Sequence, residues 1–177
     1  MGFNEIPVDG LTHAYFAFGY IIPITPKVAP MDDLPADLFS QFTAIKRRNS
    51  GLKTVIALGG DMVSTAENRK LFVGNLLGFM RRYGFDGVDF GWEYPGAGDC
   101  GRRPDDGKNF VAFLKELDEV NNLQPSKYVV SFTIPTSYWC STISPRMRRS
   151  RVSRRIGYLG SWKGRIDRDD ASRSSAV

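Results

Sequence analysis

Short apolar runs alternate along the chain with longer segments in which apolar residues recur every three or four positions. Runs rich in β-branched and aromatic residues favour strands, and the longer spacing favours amphipathic helices. The predicted strands cover residues 11–22, 52–58, 85–95 and 128–135, and the predicted helices cover 33–48, about 65–83 and about 106–121. Since strands and helices alternate, the pattern predicts a parallel α/β sheet.

Turn-forming and capping residues mark several of these boundaries. Ser64 or Thr65 can cap the second helix, and Gly84 is expected to end it. Three prolines at positions 23–30 predict a proline-rich loop after the first strand. The buried face of the second helix is expected to include Leu71, Phe72, Leu76, Phe79 and Met80.

The segment at 85–95 carries the most informative pattern in the chain. Alternate residues of a strand share a face, so Asp89, Gly91 and Glu93 point one way while Phe90 and Trp92 point the other. Acids on one face and aromatics on the other suit the wall of a barrel, with a polar interior and an outer layer of helices. An acid at the carboxyl end of such a strand is a candidate functional residue.

The octet at 86–93, DGVDFGWE, resembles the signature of the family 18 glycoside hydrolases, the chitinases, whose pattern is Asp-Gly-x-Asp-x-Asp-x-Glu. Every fixed position matches except the third Asp, which is Gly91. Four other segments resemble the family's second strand, third strand, next helix and fifth strand, in that order: 11–18, 52–60, 109–117 and 128–135. The resemblance covers roughly residues 5–139 and is greatest to fungal, killer-toxin-like chitinases.

The resemblance implies an α/β fold that is the N-terminal part of a (β/α)8 TIM barrel, about strands two to five. A complete barrel needs about 250 residues, and this chain has 177. Residues 1–140 are expected to form the partial catalytic domain, and the Arg- and Ser-rich residues 141–177 a disordered tail. Four strands alone would form an open sheet with two free edges.

For function, the resemblance implies hydrolysis of the β-1,4 N-acetylglucosamine linkages of chitin by a substrate-assisted, retaining mechanism. Glu93 is the implied general acid, and Asp89 is the implied second acid. The family uses an Asp between them to orient the substrate's acetamido group, but this chain has Gly91. Because that carboxylate is missing, we expect the copy to be impaired or inactive. The alternative is a non-catalytic chitin- or carbohydrate-binding protein on the same scaffold.

Further residues are candidates for substrate binding or for supporting the site. Tyr94, Gly59, Gly60 and Tyr138 are the candidates for substrate binding. The tyrosines could equally pack in the core, and the glycines could serve only a tight turn. Asp86 could support the site, or it could satisfy backbone N–H groups at the start of its strand.

The net charge of +5 is unevenly distributed along the chain. Residues 141–177 contain ten basic and three acidic residues, so the rest of the chain is near neutral, which suits uncharged chitin. An Arg-rich segment can bind nucleic acid non-specifically. Only Tyr158 and Trp162 offer stacking there and no recognition fold is evident, so nucleic acid is not an expected partner.

The sequence predicts neither a cofactor nor a metal, since no Cys or His cluster has metal-ligand spacing. Cys100 and Cys140 could pair, although two cysteines in a domain of this size are more often free. His13 is expected to have a hydrogen-bonded structural role inside a strand. No stretch is apolar enough to span a membrane. The first residues lack a signal-peptide pattern, whereas the family implies secretion.

Overall fold

The computed structural model describes residues 2–31, 34–59, 65–92 and 105–133. The strands in these ranges are β1 (His13–Ile22), β2 (Lys27–Pro30), β3 (Lys53–Leu58), β4 (Gly87–Phe90) and β5 (Val129–Phe132). The helices are α1 (Asp37–Thr43), α2 (Ala66–Tyr83) and α3 (Asp106–Asn122), with short 3₁₀ helices at Phe3–Glu5 and Ala44–Arg48. The predicted alternation of strands and helices is confirmed.

All five strands belong to one sheet, in the order β2-β1-β3-β4-β5. The strands β1, β3, β4 and β5 are parallel, and each pairs with the next parallel strand along the chain. Parallel neighbours need a crossover connection, which the helical segments supply. This stepwise winding in one direction is that of a barrel wall, so the predicted α/β class is confirmed.

The strand β2 lies in the segment that the sequence predicts to be a proline-rich loop, so that prediction was wrong for Lys27–Pro30. This strand pairs antiparallel with Gly19–Ile22 of β1, and residues 23–26 form the turn between them. Pro30 is compatible with the pairing because it ends an edge strand, where a missing N–H costs little. The edge of β1 is therefore partly covered, and β2 and β5 are the two edge strands of the described sheet.

The first helix is shorter than the predicted 33–48. It begins at Asp37, and its last part, Ala44–Arg48, is a 3₁₀ helix. Thr43 lies at the junction, and its hydroxyl donates a hydrogen bond of 2.6 Å to the carbonyl of Tyr83 at the end of α2. This contact links residues 40 positions apart, so the local pattern that predicted the helix contains no sign of it.

The second helix has both of its predicted ends. Thr65 Oγ1 accepts a hydrogen bond of 3.2 Å from the backbone N–H of Asn68, as an N-cap does. Gly84 follows the last turn with a φ of 76°, the left-handed conformation that favours glycine. Leu71 is 52% exposed, so its predicted place on the buried face was wrong. The buried apolar stripe begins one position later, at Phe72.

Aromatic side chains fill the layer between the sheet and the helices. Phe90 and Trp92 are buried on this side, as predicted. Their rings meet α3 edge to face, with 5.1 Å between the centroids of Phe90 and Phe113 and 5.6 Å between those of Trp92 and Phe110. Other aromatic members of the layer are Phe16, Phe39, Phe42, Phe72, Phe79 and Phe132. This packing fixes which face of β4 turns away from the helices.

Gly87, the first residue of β4, is predicted to tolerate no side chain. A Cβ atom there would lie 2.7 Å from Val129 Cβ on β5, well inside van der Waals contact. Gly87→Ala should therefore push the two strands apart and lower the free energy of unfolding, measured by urea denaturation, by about 1–3 kcal/mol.

Gly74 provides the matched control for this substitution. It is exposed in the middle of α2, and a Cβ atom there would meet nothing within 4 Å. Gly74→Ala should raise the free energy of unfolding by about 0.5–1 kcal/mol, because alanine loses less backbone entropy in a helix. Equal effects of the two substitutions would contradict the tight packing described for β4 and β5.

Candidate active site

Asp89 projects to the face of the sheet opposite the helices, here called the open face. Its neighbours Val88 and Phe90 are buried against the helices, and adjacent residues of a strand point to opposite faces. Asp89 is in register with Ala57 on β3 and with Ser131 on β5. The open face therefore carries one carboxylate at the centre of three neighbouring strands.

The carboxylate of Asp89 is held by Ser131. The Ser131 hydroxyl donates a hydrogen bond of 2.6 Å to Asp89 Oδ1, and Ser131 is 1% exposed while Asp89 is half-buried. This leaves Oδ2 of Asp89 as the second acceptor. The sequence reasoning missed Ser131. The only available signal was its position on the predicted strand at 128–135, because the pairing of β4 with β5 cannot be read from either strand alone.

Tyr15 is a second residue of the open face that the sequence reasoning missed. Its hydroxyl is buried beside the Ser131 hydroxyl but makes no hydrogen bond of good geometry within the described part of the chain. Burial raises the pKa of Tyr15, the neighbouring Ser131 hydroxyl offsets part of the rise, and the charge of Asp89 adds to it. Tyr15 is therefore a neutral phenol near the Asp89 carboxylate, on a strand two positions away in the sheet.

Gly59 and Gly91 directly follow β3 and β4, so both lie at the edge where the parallel strands end. The N–H of Gly91 donates a hydrogen bond of 2.8 Å to Leu58 O. A Cβ atom at Gly91 would lie 3.6 Å from Leu58 O, an ordinary contact, and one at Gly59 would meet nothing within 4 Å. Neither glycine has a positive φ. Within the described ranges, position 91 thus has room for a side chain.

Two exposed aromatic residues lie near the same edge, in the last part of β1. Phe18 is 44% exposed and Tyr20 is 48% exposed. Gly19, between them, faces the side chains of Ile56 and Leu58 on the helix side, so Tyr20 faces the open side. Exposed aromatic rings beside a polar edge can stack on the apolar faces of a ligand. The sequence reasoning treated both residues only as strand formers.

Asp86 lies at the opposite edge, where the strands begin. Its Oδ2 accepts hydrogen bonds from the backbone N–H of Thr54 at 2.8 Å, from Thr54 Oγ1 at 3.1 Å and from Lys46 Nζ at 2.8 Å. Burial acts to raise the pKa of Asp86, but the Lys46 and Thr54 hydrogen bonds and the Lys46 charge outweigh it, so the pKa is lowered from its ordinary value of 3.8. Of the two roles left open by the sequence, these contacts favour the one at the start of the strand.

The remaining sequence candidates are only partly covered by the structure. Glu93, Tyr94, Gly60 and Tyr138 lie outside the described residues, as do both cysteines and the whole of 134–177. His13 is the first residue of β1 rather than an interior one, and its Nδ1 lies 3.0 Å from Thr12 Oγ1. It is exposed at the edge away from Gly59 and Gly91. The structure thus groups Asp89, Gly59 and Gly91 and separates Asp86 from them.

The described ranges contain no group of three or more His, Cys, Asp or Glu side chains that could hold a metal ion. None of the helices described is long and apolar enough to cross a membrane.

The chain is similar to several known proteins. A family model described as Glycosyl hydrolases family 18 matches residues 2–148. The chain is 30% identical over 128 residues to Endochitinase from Manduca sexta and 38% identical over 124 residues to Chitotriosidase-1 from Mus musculus. It is 44% identical over 81 residues to Killer toxin subunits alpha/beta from Kluyveromyces lactis. These matches cover 66%, 64% and 44% of this chain.

Only part of each relative is matched. The chain covers 23% of the Manduca sexta protein, 26% of the Mus musculus protein and 7% of the killer toxin subunits. Among solved structures, catalytic domain 2 of Ostrinia furnacalis Group II chitinase, in complex with (NAG)5, aligns with a TM-score of 0.70 and 25% identity, over 80% of this chain and 40% of that one. A chitinase-like agglutinin from Robinia pseudoacacia aligns with a TM-score of 0.62 and 25% identity, over 75% and 43%.

The lowered pKa of Asp86 predicts a loss of stability in acid. Because the folded pKa lies below the unfolded one, the stability due to Asp86 is fully present above the ordinary value of 3.8 and is lost as pH falls through the folded pKa. Asp86→Asn should lower the free energy of unfolding at neutral pH by about 2 kcal/mol. It should also remove part of the acid-side slope, measured by denaturation from about pH 3 to pH 7.

The control for this experiment is Asp9→Asn, which removes an exposed carboxylate and changes the net charge equally. It should leave both the stability and its acid-side slope close to those of the unmodified chain. If Asp86→Asn kept the full acid-side slope, the described contacts would not be those that operate in solution.

The hydroxyls of Ser131 and Tyr15 should contribute unequally to stability. Ser131→Ala removes the described donor to Asp89 and should lower the free energy of unfolding by about 1.5–3 kcal/mol. Tyr15→Phe removes a hydroxyl that has no described partner and should be neutral or stabilising, because a buried unpaired polar group is costly. Urea denaturation at neutral pH compares the two. A larger cost for Tyr15→Phe than for Ser131→Ala would reverse this assignment.

Proposed function

The chain belongs to glycosyl hydrolase family 18, and we propose that it is a chitinase-like protein whose hydrolytic step is impaired at Gly91. The proposed ligand is chitin or an N-acetylglucosamine oligomer, the class named for the Ostrinia furnacalis structure with bound (NAG)5. We further assign the chain to the killer-toxin-like branch, on the basis of 44% identity over 81 residues. The 40% coverage of the structural neighbour is consistent with part of a barrel, strands two to five.

A single observation carries the proposal: the Asp89 carboxylate is held by Ser131, and two residues later a Cβ atom at Gly91 would make only an ordinary contact among the described residues. The Asp89 side chain has its Ser131 donor, and the backbone at Gly91 remains bonded to β3. The described part of this segment therefore matches the family signature up to position 91. The difference is the carboxylate missing at Gly91, where the described backbone has room for a side chain.

The proposed reaction uses the substrate's own acetamido group. Its carbonyl oxygen bonds to the anomeric carbon as the glycosidic C–O bond breaks, and Glu93 transfers a proton to the leaving oxygen. The resulting oxazolinium ion is then opened by water, which gives a proton back to Glu93. Because the anomeric carbon is attacked twice, the configuration is retained.

Position 91 is where the positive charge of this intermediate should be balanced. Asp89 lies two residues earlier, about 6–7 Å along the strand from position 91. One of its carboxylate oxygens already accepts a hydrogen bond from Ser131. Coulomb attraction weakens with distance, so Asp89 is a poor substitute. Removal of one preorganised stabilising group usually costs about 10²–10³ in rate. That is the impairment we propose.

The alternative function is carbohydrate binding without hydrolysis. The exposed rings of Phe18 and Tyr20 near the carboxyl edge favour it, because stacking on a sugar does not need a carboxylate at position 91. One structural neighbour is a chitinase-like agglutinin. The nucleic-acid hypothesis depends on residues 141–177, outside the described ranges, and nothing in those ranges favours it.

Restoring the missing acid should restore turnover. Gly91→Asp should raise kcat on chitotetraose by about 10²–10³ over the unmodified chain. The matched control is Gly91→Asn, which has nearly the same shape but no charge, and it should give no such gain. Adding Glu93→Gln to Gly91→Asp should abolish the gained activity. Product release is measured by chromatography.

Binding separates impaired hydrolysis from carbohydrate binding alone. Calorimetric titration of the Glu93→Gln chain with chitotetraose measures affinity without turnover. Binding together with a gain in Gly91→Asp supports the impaired hydrolase. Binding with no gain in either variant favours the carbohydrate-binding alternative. Fast turnover by the unmodified chain, equal to that of Gly91→Asp, would contradict the proposed impairment.

A further inference from the structure

A cavity of about 460 Å³ opens at the edge where the strands begin. It lies among the end of α2, the segment 84–86 and the segment 124–129. The candidate active site is at the other edge, where Gly59 and Gly91 follow their strands. The proposed hydrolysis uses none of the residues that line this cavity.

Positive charge predominates in the lining of this cavity. Four basic residues contribute to it, Lys46, Lys53, Arg81 and Lys127, against one acid, Asp86. The acid is already neutralised, because Lys46 Nζ lies 2.8 Å from its Oδ2. The other three cations therefore form an unbalanced cluster, and like charges gathered in one concavity repel one another.

The three remaining cations have no acid partner among the described residues. Arg81 donates to the neutral side-chain oxygen of Gln124. Lys53 and Lys127 have no described side-chain hydrogen bond or ion pair, and both are exposed. Their ammonium groups are thus available to a ligand. Both residues lie where a strand begins, Lys53 as the first residue of β3 and Lys127 two before β5.

The end of α2 would oppose an anion if its carbonyl groups were free, because a helix carboxyl end carries partial negative charge. Two carbonyls at this end are occupied. Tyr83 O accepts from the Thr43 hydroxyl at 2.6 Å, and Gly84 O accepts from Lys46 Nζ at 2.6 Å. The negative pole of the helix is therefore offset by donors from α1 and the 3₁₀ segment after it.

We propose that this cavity is a binding site for a small molecule that carries phosphate groups. An oxyanion with two or more negative charges would balance the three cations that have no described acid partner. It would accept hydrogen bonds from Lys53, Lys127 and Arg81. The Ser126 hydroxyl, which also lines the cavity, can add a neutral donor. The volume of about 460 Å³ is within the range of small-ligand pockets, about 300–1,000 Å³.

The test is calorimetric titration of the full chain with inorganic pyrophosphate at constant ionic strength. The variant is Lys53→Gln with Lys127→Gln, since neither side chain has a described structural contact. The matched control is Lys70→Gln with Lys115→Gln, two exposed lysines of α2 and α3 outside the cavity lining. Both double variants lose two positive charges and keep the Arg-rich residues 141–177, so non-specific attraction changes equally in both.

The expected result is a Kd for pyrophosphate at least about tenfold higher in the cavity variant, since the substitutions remove two cationic donors of hydrogen bonds to the anion. The control variant should stay within about twofold of the unmodified chain, in keeping with screening of distant charges by salt. Equal weakening in both variants, or no binding of pyrophosphate by the unmodified chain, would overturn the proposal. Matching circular dichroism spectra of the three chains establish that lost binding is not lost folding.

Discussion

The packing of β4 against α3 is the constraint on which the rest of the structure depends. Phe90 and Trp92 are buried against the rings of Phe113 and Phe110, and a strand cannot turn over without exposing both of them. Asp89, which directly precedes Phe90 on β4, must then point to the open face. A buried carboxylate in the aromatic layer would be very costly, so hydrophobic burial and the position of the acid reinforce each other.

How far the sequence predicts the fold depends on whether the deciding contact is local. Both ends of α2 were predictable because the Thr65 cap and the left-handed Gly84 act within a few residues of the helix. The strand β2 was not, since its pairing with Gly19–Ile22 outweighs the prolines around it. The end of α1 was missed as well, and Thr43 at that end donates a hydrogen bond to a residue 40 positions away.

The residues of the candidate site also differ in whether a local pattern could predict them. Asp89 could be predicted with its face, because alternation within one strand determines which way it points. Ser131 and Tyr15 could not, since their proximity to Asp89 depends on register across several strands and on the order in which those strands pair. Asp86 was ambiguous until its partners were known: the contacts with Thr54 and Lys46 that define its role come from other elements.

Gly87 and Gly91 differ in whether the surrounding structure requires a glycine. Gly87, four residues earlier, is required by the close approach of Val129, whereas Gly91 has ordinary space around it and no positive φ. A fold that needed glycine at position 91 would leave a mark of that need in one of these two quantities. Neither quantity shows such a mark among the described residues, so the described scaffold accommodates a side chain at position 91. Under the proposed function, hydrolysis and carbohydrate binding would differ by the charge of that one side chain.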